Sequence, residues 1–211
     1  LLTMTSRLIL LSLILNLLAT FSQAAIIHVD KDATGLNDGS SWANAFVDLQ
    51  DAIAIAVDGD EVWVAEGIYK PTTGVNRSAH YLINQNIQIY GGFDGSENNR
   101  SQRDWDANVC RLSGQIGNLG DDTDNSYNLV EVSAANLILD GFVLERAFRE
   151  TSSNDTYRSA IRVMNNGYAS LRHCVFRNNT AHSGPAIELF EGSADLDNCL
   201  VRNNHSDQGG I

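Results

Sequence analysis

Hydrophobic and polar positions alternate with two different periods along the chain. A short apolar run, Ile26 to Val29, precedes a polar loop, Asp30 to Ser41, that holds the turn signal Asn37-Asp38-Gly39. Phe46, Leu49, Ile53 and Val57 then recur every three or four positions, with Ala52 and Ala56 beside them, and Asp58-Gly59 closes the run. That spacing predicts one amphipathic helix. From Val62 onward the period changes to two. Val62-Trp63-Val64, Ile87 to Tyr90, Leu129 to Val132, Leu137-Ile138-Leu139 and Ile161-Arg162-Val163 are short β-type runs separated by Gly, Asn and Asp. No helical pattern lies between them, which argues against a doubly wound α/β sheet and leaves a sandwich or a solenoid.

The C-terminal part decides for the solenoid because it repeats. Leu171 to Asn179 (LRHCVFRNN) returns as Leu196 to Asn204 (LDNCLVRNN), each position displaced by 25. Leu139, Phe142 and Leu144 match Leu171, Cys174 and Phe176 at an offset of 32, the excess fitting the polar insertion Glu150 to Arg158. Ala160 to Val163 returns at Ala186 to Leu189, 26 later. A repeat of this size with two or three strands is one turn of a β-solenoid. Leu171, Cys174 and Phe176 are expected to point inward, and Arg172, Val175 and Arg177 outward. The Asn pair after the strand is expected to form a ladder at a turn, which gives a place to the 21 asparagines of this sequence.

Upstream of the first strand, Arg7 precedes an apolar stretch from Leu8 to Phe21 and the small-x-small triplet Ser22-Gln23-Ala24. This is the layout of a secretory signal, shorter than the roughly 20 apolar residues a membrane span needs. We expect cleavage after Ala24, an exported protein found outside the cell or on its outer surface, a cap over residues 25–60 and coils over residues 61–211. No later segment is apolar enough to cross a bilayer as a helix. The chain stops at Gly209-Gly210-Ile211 without a closing element, so the solenoid is expected to be C-terminally truncated.

Charge narrows the partners. Fourteen Lys and Arg face 26 Asp and Glu, a formal charge of −12, and just two of the cations, Lys31 and Lys70, are lysines. That balance argues against nucleic acid and anionic membranes, which need a basic face. Three cysteines, Cys110, Cys174 and Cys199, do not make a disulfide-rich scaffold.

Phe176-Arg177-Asn178-Asn179 and Gly184-Pro185-Ala186-Ile187 resemble the Phe-x-x-Asn and Gly-Gly-Ala-Ile elements of polymorphic outer-membrane protein repeats, with Pro185 in place of the second glycine. Gly39 to Phe46, Gly59 to Pro71, Tyr90 to Glu97 and Leu139 to Phe142 resemble the N-terminal capping region and first coils of pectate-lyase-like proteins. The resemblance implies an all-β fold, a right-handed parallel β-helix with an N-terminal capping helix, of the kind exported by bacteria. It leaves chemistry open, because this scaffold hosts lyases, hydrolases, adhesins and proteins without known activity. The expected function is a non-catalytic adhesin or carbohydrate-binding scaffold whose partner is an extracellular polysaccharide or a host or cell-surface ligand. The alternative is a calcium-dependent polyuronate lyase or related glycan-active enzyme with its site partly outside this sequence.

A lyase on this scaffold would need calcium held by carboxylates and an Arg or Lys base. Asp122 and Asp124 are the calcium candidates, two residues apart in the loop from Asp121 to Ser126, and Asp30 with Asp32 has similar spacing; solvated, self-capping turns are the alternative for both. Arg162, Arg172, Arg177 and Arg202 fall in or beside strands, where surface pairing with carboxylates is expected. Cys174 and Cys199 should be neighbours on adjacent coils, as stacked core thiols or as a disulfide. His173, His182 and His205 have no metal-ligand spacing and read as turn and surface residues. Trp42 and Trp63 are expected to pack in the cap, and Trp105 to be the more exposed aromatic.

Overall fold

A computed structural model describes residues 24–149 and 159–206. The expected signal segment, the insertion Glu150 to Arg158 and the closing glycines lie outside the described residues. The N-terminal end contains β1 (Ile26–Val29), helix α1 (Leu49–Ile55), β2 (Glu61–Ala65) and β3 (Gly67–Tyr69). One coil follows as β4 (Tyr81–Ile83), β5 (Ile87–Phe93) and β6 (Cys110–Ser113), and the next as β7 (Val130–Ser133), β8 (Asn136–Asp140) and β9 (Phe142–Glu145). Two further coils gain a fourth strand: β10 (Ile161–Met164), β11 (Tyr168–Arg172), β12 (Val175–Arg177) and β13 (Thr180–Ala181), then β14 (Ile187–Phe190), β15 (Ser193–Asp197), β16 (Leu200–Arg202) and β17 (His205–Ser206).

Every strand pairs in parallel with its counterpart one coil away. Sheet A runs β1-β2-β5-β8-β11-β15, sheet B β3-β6-β9-β12-β16, sheet C β4-β7-β10-β14, and β13 with β17 forms a short fourth sheet. The fold is a parallel β-helix with one α-helix among the described residues. The register is the one the repeats predict: Leu139, Leu171 and Leu196 are partners, as are Leu144, Phe176 and Val201.

The interior is a set of aliphatic ladders. In sheet A, Ile27, Val62, Ile89, Leu139, Leu171 and Leu196 stack through six strands. Full burial of each such side chain contributes roughly 1.5–3 kcal/mol, so the apolar period of two specifies which face turns inward. Leu171, Cys174 and Phe176 are fully buried, and Arg172 is exposed.

Corners form columns too. The residue after each of the last three sheet A strands, Gly141, His173 and Asn198, has positive φ (85°, 47° and 52°), and so do Arg146, Asn178 and Asn203 after the last three sheet B strands (62°, 54° and 55°). Asn tolerates this left-handed conformation better than most residues, which explains part of the asparagine surplus. Asn179, one residue further on, is fully buried and forms the ladder: its Nδ2 donates to Leu144 O at 3.1 Å and Asn204 Oδ1 at 3.0 Å, and its Oδ1 accepts from Ala147 N at 2.9 Å.

The helix is shorter than the pattern predicts. Asp48 caps its start, accepting from Gln50 N at 2.9 Å, and Ala56 is extended (ψ 142°), so the helix ends at Ile55 and Val57 is 55% exposed. Phe46 is buried as extended chain, bridged in parallel to Val29. Leu49, Ala52 and Ile53 close the N-terminal end of the core. Among the described residues no helix is long and apolar enough to cross a membrane.

Candidate functional site

Strand alternation puts two columns of side chains on the outer face of sheet A. One is His28, Trp63, Tyr90, Asp140, Arg172 and Asp197; the other is Ile26, Glu61, Gln88, Ile138, Ser170 and Asp195. Half of this face is not bare. Residues 94–109, between β5 and β6, fold back across it.

Local chemistry gives that excursion its shape. The buried Glu97 carboxylate accepts from the backbone N–H groups of Asp94, Gly95 and Ser96 at 2.7, 3.1 and 3.1 Å. Asn99 and Gln102 form a capping box around the 3₁₀ turn Arg100–Gln102. The excursion can lie close because of glycine. At Gly92, φ is +96° and a Cβ would stand 2.8 Å from the Trp105 backbone, while Asp104 N donates to Gly92 O at 2.7 Å.

Arg103 is the anchor. Its Nη2 lies 2.6 Å from Asp140 Oδ2, and both side chains are about nine-tenths buried. His173 Nδ1 meets the other carboxylate oxygen at 2.9 Å. An ionised carboxylate accepts only, so Nδ1 carries the proton and Nε2 is left as the acceptor nitrogen. The Trp105 ring stacks on His173 at 4.2 Å between centroids, and the Arg103 guanidinium lies 4.9 Å from the Trp105 ring centroid. Closer to the N-terminal end, Glu61 receives Arg100 Nη1 at 2.6 Å and Trp63 Nε1 at 2.8 Å, and Arg100 covers the Tyr90 ring at 4.4 Å. Burial pushes the Tyr90 phenol above its ordinary value, with Arg100 opposing.

Between the sheet and the excursion a cleft of about 490 Å³ stays open, lined by Glu61, Trp63, Asn98, Arg100, Arg103 and Trp105. It combines amide, carboxylate and guanidinium groups with an aromatic edge, the mixture that orients a polar ligand of extended ring structure.

Several sequence expectations change here. Trp42 packs on His28 of β1 at 4.6 Å, and with Trp63 and Phe93 it forms an aromatic cluster on the outer face of sheet A, Trp63 stacking on Phe93 at 4.8 Å. Trp105 is half-buried against His173. His173, read as a plain turn residue, is a partner of Asp140. At that left-handed corner the neighbouring coils place Gly141 and Asn198, and His173 takes the same conformation.

The remaining candidates lie elsewhere. Asp122 and Asp124 sit in a 3₁₀ turn beside sheet B. Asp122 Oδ1 faces Arg146 Nη1 at 3.2 Å, and Asp124 Oδ2 accepts from Asn118 N at 2.7 Å. Asp122 is thus engaged by a guanidinium and Asp124 by a backbone N–H, while Asp124 Oδ1 is buried without a hydrogen-bond partner among the described residues. Among the described residues no group of three or more His, Cys, Asp or Glu converges as metal ligands. Asp30 accepts from Asp32 N at 2.9 Å, and Asp32 pairs with Lys31. Arg162 lies between Glu131 and Glu188, and Arg177 pairs with Glu145 at 2.7 Å, the surface matching expected of both. Arg202 is in register with Arg177, and Arg172 donates to Ser170 Oγ at 3.1 Å. Cys174 and Cys199 stack on adjacent coils as free thiols. His205 is in β17, and Ser206 Oγ donates to His182 O.

No protein-family model and no curated protein matches the chain. Among solved structures it is similar to that of a PL6-family alginate lyase, with a TM-score of 0.39 and 16% identity. The match covers 83% of this chain and 20% of that one, so the chain spans about a fifth of that protein's length.

Proposed function

We propose that the protein is a polysaccharide-binding β-helix that holds its ligand in the cleft between sheet A and residues 94–109. It would act outside the cell as an adhesin or scaffold, in keeping with the signal-like N-terminus. The observation that carries this reading is the cleft itself. Arg100 is 42% exposed at the side chain and Asn98 is exposed. Both stand on a rim that Arg103 and Trp105 fix to the coils. Rigid placement of a few polar groups beside an aromatic gives orientation at little entropic cost on binding. Titrating the protein with a panel of polysaccharides tests it through tryptophan fluorescence. Binding should perturb Trp105, Trp105→Phe should remove that change, and Arg100→Ala should weaken affinity by about tenfold. A panel without a binder would refute the reading.

A glycan-active enzyme is the second reading, favoured by the Asp140–His173 pair. A carboxylate that fixes the tautomer of a neutral histidine leaves Nε2 able to take a proton, here behind Trp105, which lines a cleft that could seat a sugar. In a lyase step the proton beside a uronate carboxylate would pass to Nε2, a carbon–carbon double bond would form, the glycosidic C–O bond would break and the departing oxygen would take a proton from water. Incubation with polygalacturonate and alginate, with and without calcium, would show ultraviolet absorbance growth that His173→Gln abolishes. Flat absorbance leaves binding as the function.

A further inference from the structure

The outer face of sheet B carries a group that the rest of the protein leaves unmatched. Its outward column runs Ile68, Arg111, Val143, Val175 and Leu200, so Arg111 is the one charged residue in an apolar file. Arg111 is half-buried, its Nε is fully buried without a hydrogen-bond partner, and its guanidinium has no ion pair among the described residues. Arg103, Arg162 and Arg177, comparably buried, each face a carboxylate. An unsatisfied buried donor costs stability and calls for an explanation, of which an acceptor supplied from outside the chain is one.

The surroundings suggest what that is. Ile68, 48% exposed, separates two clefts. One, about 330 Å³, is lined by Lys31, Glu66, Val109 and Arg111. The other, about 440 Å³, is lined by Lys70, Gln115, Leu119 and Arg146. Both lysines of this acidic protein therefore border one face. The carboxylates nearby are largely taken: Asp32 by Lys31 at 2.5 Å, Glu145 by Arg177 at 2.7 Å and Asp122 by Arg146 at 3.2 Å. Glu66 is exposed at the rim. Lys70, like Arg111, has no ion pair among the described residues.

We infer that this face binds an oxyanion, a carboxylate or sulfate carried on a glycan, with Arg111 as the primary contact and Lys70 as the second. A guanidinium presents a planar pair of donors that matches either group. Ile68 and Val109, which line the cleft beside Arg111, lower the local polarity at the contact and strengthen it. The site shares no residue with the sheet A cleft and does not depend on it.

Titration of the full chain with polygalacturonate, dextran sulfate and neutral dextran at constant ionic strength tests the inference. Binding of an anionic polymer should fall by about tenfold in Arg111→Gln and less in Lys70→Gln. The same affinity should survive Arg202→Gln, an exposed arginine that lines none of these clefts. The unfolding midpoint of Arg111→Gln should equal or exceed that of the wild type, because the variant removes an unmatched buried donor. Whether the carboxylated or the sulfated polymer responds identifies the group. Lack of binding to both, or an Arg111→Gln affinity equal to the wild type, overturns the inference. So does a lowered midpoint with unchanged affinity, which would make Arg111 a structural residue.

Discussion

His173 reaches back across one coil to Asp140, its Nδ1 2.9 Å from the carboxylate, while Arg103 Nη2 holds the opposite oxygen at 2.6 Å. Three segments distant in sequence, an excursion, a strand end and a corner, meet at one buried carboxylate. The rim of the cleft is therefore tied to two successive coils through Asp140.

Removing the guanidinium should release that rim. Arg103→Ala leaves Asp140 with His173 as its one remaining ionic partner in a nearly dry site, and breaking a buried pair costs about 3 kcal/mol. Urea denaturation should show a lower midpoint, and limited proteolysis should cut residues 94–109 faster than in the wild type. Equal midpoints and equal cleavage would mean that the excursion is held by other contacts.

The asparagine ladder makes a second prediction. Asn179→Ala removes the acceptor of Ala147 N and the donor to Leu144 O in a fully buried site. The loss should be about 3 kcal/mol in chemical denaturation. Asn204→Ala, in the next coil and half-buried, should cost about 1 kcal/mol.

These two cases differ in how far the sequence revealed them. Asn179 and Asn204 occupy equivalent repeat positions, so stacking could be derived from an offset of 25 before any coordinates existed. The same holds for the inward ladder of Leu139, Leu171 and Leu196, because a period of two and identical residues in successive coils leave one register that buries them. The site was not legible in that way. Arg103 lies in a non-repeating excursion, Asp140 and His173 belong to different coils, and no spacing rule links positions whose proximity depends on how a loop folds over a sheet. Strands such as β3 and β4, of three residues each, were too short for their own periodicity to speak.

The thiols should differ in reactivity. Burial pushes Cys110 up to about 12 and raises the fully buried Cys174 as well. The half-buried Cys199 is lowered to about 6, because the Cys174 thiol donates toward it, two backbone groups add hydrogen bonds and His173 lies near. Its thiolate is populated above that value and is lost as pH falls through it, so alkylation of Cys199 should slow on acidification. Mass spectrometry of the native protein treated with iodoacetamide at neutral pH should find the label on Cys199, and on Cys110 and Cys174 after unfolding. Equal labelling of all three in the native state would contradict the stacked, inward arrangement.

The cleft itself is best interrogated by hydrogen exchange of the full chain with and without a saturating polysaccharide identified by titration. Protection is expected across residues 94–109 and at Glu61–Ala65, which form the two walls. Exchange in both segments that stays the same while the ligand is bound would place the binding surface elsewhere on the β-helix.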